Sequence, residues 1–68
     1  MAIVLRIRKL RKVNGWSQAE LARRSGVNQA IISRLESGEV QSINFPNLEK
    51  LARAFMCDPG YLILRRRD

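Results

Sequence analysis

The sequence contains no histidine and a single cysteine, Cys57. One thiol cannot close an intrachain disulfide, and without imidazoles it cannot complete a tetrahedral zinc site, so neither a metal nor a cofactor is expected. A reducing, intracellular setting fits that count. Long apolar runs are missing as well. The stretch Ala2 to Leu5 is only four residues long and Arg6 follows it. A bilayer-spanning helix needs roughly 20 apolar residues, so no span or secretory leader is expected. There is no glycine-rich phosphate loop, and a chain of 68 residues has little room for a pocket. The few carboxylates are accounted for by helix caps and ion pairs. An enzyme and a small-molecule ligand are therefore not expected, and a cytoplasmic, nucleoid-associated place is.

Acidic residues are scarce too: six Asp+Glu stand against 13 Lys+Arg, for a net charge of +7. The excess is one-sided. Residues 1–34 hold eight bases and one acid, Glu20, whereas residues 35–68 hold five of each, so the first half carries the whole +7. A basic patch of this kind attracts a polyanion, whether DNA, RNA or an anionic membrane face.

What is present is helical spacing, with little sign of strands. Ile3, Ile7, Leu10 and Val13 recur at threes and fours, which predicts a first helix ending near Asn14-Gly15. Ser17 with Glu20 reads as a capping box opening a second helix that ends at Ser25-Gly26. Asn28 caps a third, running through Ile32 and Leu35 to Ser37-Gly38, and a loop covers Glu39 to Asn44. A fourth helix begins near Asn44 to Pro46, with Leu48, Leu51, Ala52 and Phe55 as its buried stripe. Asp58-Pro59 looks like the cap and first residue of a short fifth helix carrying Tyr61 and Leu62. The expectation is an all-α, compact five-helix domain over residues 1–64, with Trp16, Phe45 and Phe55 as large core fillers. Residues 65–68 read as a frayed basic tail.

The informative part is Gln18 to Ser37. Two short helices meet at Gly26, which supplies a positive φ without strain. Leu21, Val27, Ile32 and Leu35 can share one small core, and Ala22 permits close approach. A helix-turn-helix needs these features because its second helix must enter a groove about 12 Å wide.

Ser17-Gln18-Ala19-Glu20-Leu21-Ala22, Gly26-Val27, Ile32 to Gly38 and Leu48 to Ala52 together resemble the Cro/cI-type, lambda-repressor-like family of bacterial and phage regulators. The resemblance runs from about Ile3 to Ile63. It implies a lambda-repressor-like fold in which the second and third helices form the helix-turn-helix. It also implies sequence-specific binding of double-stranded DNA, regulation of transcription, most often repression, and a homodimer on an inverted repeat. Gln18 would contact a phosphate and brace Gln29. Gln29 would read adenine through N6 and N7, Ala30 could touch a thymine methyl, and Ser33 and Arg34 lie a turn further on. Arg34 is the candidate for guanine O6 and N7, a contact that contributes roughly 1–3 kcal/mol of discrimination. Ser17 and Asn28 would donate to phosphates from helix N-termini. Arg11 would pair with Glu36 and face the DNA backbone.

The chain also departs from the family's pattern. Glu39 and Val40 stand where a base is common after Gly38, so phosphate contacts there would fall to backbone amides, Gln41, Ser42 or Asn44, or be lost. Ser25 replaces a usual apolar residue, and Ile31 is bulky for its place. Met56, Tyr61, Ile63 and Leu64 are the candidate dimer surface. The alternative reading is an antitoxin or other protein-interaction module on the same fold, with a protein partner in place of DNA.

Overall fold

The computed structural model describes residues 2–38 and 40–67. Its elements, in chain order, are a strand β1 (Ala2–Leu5), helices α1 (Ile7–Val13), α2 (Gln18–Ser25), α3 (Gln29–Glu36) and α4 (Phe45–Phe55), a 3-10 turn (Pro59–Leu62) and a strand β2 (Ile63–Arg67). The domain is mostly helical. Among the described residues there are four α-helices, not five, and a two-stranded sheet joins the ends of the chain.

The sheet corrects the all-α expectation at both termini. Ala2 to Leu5 does not extend the first helix. It pairs antiparallel with β2 in the register Ala2↔Arg67, Ile3↔Arg66, Val4↔Arg65 and Leu5↔Ile63, with a bulge between Val4 and Leu5. On its other side Ile3 exchanges hydrogen bonds with Val40, at 2.7 and 2.8 Å. Ile3 and Ile7 are four apart, which suits a helix, but a four-residue apolar run suits a strand equally. Long-range pairing decides between them. The expected fifth helix is shorter and tighter than predicted: a single 3-10 turn over Pro59–Leu62, with Asp58 extended and making no side-chain cap. Leu64 and Arg65 follow it into β2. Residues 65–67 are thus paired backbone and not a frayed end. Asp68, the last residue of the expected tail, lies outside the described residues, as does Glu39 of the expected loop.

The helix boundaries follow from local chemistry. Ser17 Oγ accepts the Glu20 N–H at 3.0 Å and opens α2. Only this half of the predicted capping box forms. The Glu20 carboxylate turns to Arg23 and Arg24, the latter at 2.6 Å. Two guanidiniums on its own helix outcompete one backbone amide for an ionised acceptor. Asn28 and Asn44 cap α3 and α4 through Oδ1, accepting from Ala30 and Asn47 at 2.7 and 2.8 Å. α4 ends on Met56 at φ 58°, a left-handed cap on a residue other than glycine.

The core is one cluster. Ile7, Leu21, Ile32, Leu51 and Leu62 are fully buried, and Val27, Leu35, Val40, Leu48 and Ala52 nearly so. Each large aliphatic side chain of this kind contributes about 1.5–3 kcal/mol on burial. Trp16 and Phe55 pack on its margin and stack on each other, centroids 5.6 Å apart and planes within 15°. Phe45 is no core filler, since it is 60% exposed at the first turn of α4. There the inward stripe is taken by Leu48, Leu51 and Ala52. Among the described residues no helix is long and apolar enough to cross a membrane.

Candidate nucleic-acid interface

α2 and α3 are joined by three residues whose geometry is fixed by hydrogen bonds and one glycine. Gly26 sits at φ 79°, and its N–H reaches Ala22 O at 2.8 Å. Ser25 Oγ accepts the Val27 N–H at 3.1 Å, while the Val27 side chain enters the core. The hydroxyl of Ser25 therefore caps the turn, which gives a polar residue a use where an apolar one is more usual.

The sequence of α3 then divides into two faces. Ile32 and Leu35 are buried, and Ile31 is half-buried against the same core. Gln29, Ala30, Ser33 and Arg34 are all exposed. Their positions i, i+1, i+4 and i+5 place them in one patch on a 3.6-residue helix. Among the described residues, no hydrogen bond or ion pair engages the side chains of Gln29, Ser33 or Arg34. Asn28 stands exposed at the helix start, with Oδ1 engaged in its cap.

Beyond the last turn of α3, Arg34, Leu35, Ser37, Val40, Gln41 and Ser42 line an open hollow of about 370 Å³. Arg34 therefore shares one concavity with both candidate loop residues, and Gln41 and Ser42 are exposed there. Ser17 is exposed at the start of α2.

Behind these surfaces lies a polar knot. Arg11 of α1 grips Glu36 at the end of α3 with two hydrogen bonds, Nε to Oε2 at 2.8 Å and Nη2 to Oε1 at 2.9 Å. Its Nη1 donates to Trp16 O at 2.9 Å. The Arg11 side chain is only 13% exposed and that of Glu36 only 4%. Gln18 also joins the knot, donating from Nε2 to Glu36 Oε1 at 3.2 Å. The resemblance implies that Gln18 braces Gln29, but in the structure its intramolecular partner is Glu36. The knot ties α1, the α1–α2 turn, the start of α2 and the end of α3 to one carboxylate. Burial pushes the Glu36 carboxyl up, but hydrogen bonds from Arg11 and Gln18 and the charges of Arg11 and Arg8 outweigh it, so its pKa lies below the usual carboxylate value. The same hydrogen bond to Glu36 raises Arg11, which stays charged throughout.

The candidate dimer residues sit elsewhere. Met56 is 92% exposed, and Tyr61 and Leu64 are each 52% exposed. Ile63 is half-buried against the core. The Arg6 guanidinium covers one face of Tyr61, 4.9 Å from the ring centroid.

Some contributors escape a reading of the sequence. Arg24 lies over the Trp16 ring at 4.6 Å and extends the Trp16–Phe55 stack across α2. No local pattern signals it, because Trp16 and Phe55 meet only in the fold. Arg8 acts on Glu36, and its signal was available: it precedes Arg11 by three on the same helix.

Two short helices with a fixed crossing, a glycine turn and an unencumbered outer face on the second define a helix-turn-helix DNA-binding domain. The chain belongs to the Cro/C1-type helix-turn-helix family, whose pattern matches residues 7–62. It is therefore a DNA-binding transcriptional regulator. It is 32% identical over 68 residues to the uncharacterized HTH-type transcriptional regulator YozG of Bacillus subtilis, covering 100% of this chain and 81% of that protein. It is 41% identical over 58 residues to the competence pilus inhibition repressor of Acinetobacter baylyi, covering 85% of this chain and 52% of that one. The chain thus spans about half the length of the second relative.

Proposed function

We propose that the chain is a repressor that binds an inverted-repeat operator as a homodimer and reads each half-site with α3 in the major groove. The observation that carries this reading is the free outer face of α3. Gln29, Ala30, Ser33 and Arg34 form one exposed patch whose polar side chains have no other engagement among the described residues. An amide at Gln29 suits the adenine edge and a guanidinium at Arg34 the guanine edge. Ser17, Gln18 and Asn28 at the helix starts, with Gln41 and Ser42 beside Arg34, would contact phosphates and fix the register. The repressor role is supported by the likeness to the Acinetobacter repressor. The homodimer rests on reach. One α3 covers few base pairs, and two-fold pairing would set two such helices one helical turn apart, about 34–36 Å. Met56, Tyr61, Ile63 and Leu64 are the proposed contact surface.

Selection of binding sites from random duplex DNA tests the reading. The expected product is a palindrome with adenine and guanine in each half-site. Failure to enrich any sequence, with binding that merely collapses as salt rises, would mark a nonspecific polyanion binder and overturn it.

A further inference from the structure

We propose that Ile3 is a positioning residue for DNA binding: its backbone pins the loop after α3, so that Gln41 and Ser42 meet phosphate in a fixed geometry. This rests on the phosphate role proposed for those two residues and adds what holds them in place.

The loop is short of positive charge. From residue 39 to residue 44 the sequence has no lysine or arginine. A lysine would reach a phosphate on a long flexible stem, and so would tolerate movement of the loop beneath it. Gln41 and Ser42 offer only neutral N–H and O–H donors on shorter side chains. Such bonds weaken steeply as the angle at the hydrogen falls. A loop that grips phosphate with neutral donors therefore has to be held still.

β1 supplies the hold. The Ile3 N–H donates to Val40 O at 2.7 Å, and the Val40 N–H donates to Ile3 O at 2.8 Å. Among the described residues no other backbone hydrogen bond reaches residues 40–43. The Val40 side chain is buried in the core, which fixes the same point from within. Gln41 and Ser42 follow directly. With Val40 they line one hollow with Arg34 and Leu35 at the end of α3. The two bonds from Ile3 thus set where the loop donors stand relative to the exposed face of α3.

The strand can do this because its two edges are divided. Both backbone groups of one residue in an antiparallel strand point to the same edge, and successive residues alternate. Ile3 faces Val40, which leaves Ala2 and Val4 to face β2. β2 therefore braces β1, and β1 braces the loop. A C-terminal segment that reads as a tail in the sequence supports a DNA contact two strands away.

The test replaces single backbone N–H groups by ester oxygens in synthetic protein, at Ile3 or at Val40, with every side chain kept. Each ester removes one of the two bonds. Binding is measured on the selected operator and on a scrambled duplex, in the wild-type background and in Gln41→Ala/Ser42→Ala. The double loop variant should bind both duplexes about tenfold more weakly than wild type. Each ester alone should weaken binding to both by about threefold, with base preference unchanged, and Ile3→Val should match wild type. In the loop variant an ester should cost almost nothing further, because the donors it would misplace are gone. A merely structural loss would instead multiply with the loop loss. Thermal melts establish folding at the assay temperature, and if one ester unfolds the chain, the other carries the comparison. A weakened loop variant, with esters that leave affinity unchanged or cost the same in both backgrounds, would overturn the positioning role and leave the loop's phosphate role standing. A loop variant that binds like wild type would overturn both.

Discussion

Glu36 is the residue on which most of the interface geometry converges. Its carboxylate is 4% exposed and receives Arg11 twice and Gln18 once. A buried pair of this kind is costly to break from one side, because the remaining charge is left without its partner. Arg11→Met should therefore destabilise the domain by about 3–5 kcal/mol, whereas replacing both partners with apolar residues should recover much of that loss. The pair also fixes the direction of the pH dependence. Because the folded pKa of Glu36 is lowered, its stabilisation is fully present above the unfolded value of about 4.3 and is lost as pH falls through the folded value. Denaturant melts between about pH 7 and 3 should show this acid loss in wild type and a flatter profile in Glu36→Gln. An identical profile in the two proteins would remove Glu36 from the account. Glu20 is also lowered, through Arg23 first, but its ion pairs are exposed and add little to the pH dependence.

At the scale of elements, the α2–α3 turn is the part that local chemistry determines most completely. Gly26 takes φ 79° with open space where a Cβ would stand. A substitution there meets backbone strain but no clash. Gly26→Ala should therefore cost about 1 kcal/mol and lower DNA affinity only as far as folding falls. A change in base preference in a fully folded Gly26→Ala would show that the turn also tunes the angle of α3. The sequence announced this unit because everything that defines it is local: Ser17, Asn28 and Asn44 as caps, Gly26 as the turn, and Leu21, Ile32 and Leu35 at helical spacing. Long-range features were not legible in the same way. β1 finds its partner some 60 residues away in an arginine-rich segment that composition alone reads as a tail. The exposure of Phe45 and the choice of Glu36 over Gln29 by Gln18 likewise depend on which side chains meet across elements. Spacing gives the outer face of α3, and the family resemblance already implied the pairing of Arg11 with Glu36, but the further bond from Arg11 to Trp16 O is visible only in the fold.

For the whole molecule, the exposed face of α3 is the proposed reading surface, and Met56, Tyr61 and Leu64 are exposed apolar residues outside that helix. Met56 holds a left-handed backbone while its long apolar side chain stands in solvent. If these residues join two copies, sedimentation should show a dimer on operator DNA, and Met56→Glu should shift the free protein toward monomer. A monomer both free and on DNA would remove the homodimer and leave the reading of a single half-site. Whether α3 reads bases is decided by repeating the random-duplex selection with Arg34→Ala. The guanine at one position of each half-site should no longer be enriched, while the other positions keep their preferences. A recovered site identical to that of wild type, or a uniform loss of preference across all positions, would contradict base reading by α3.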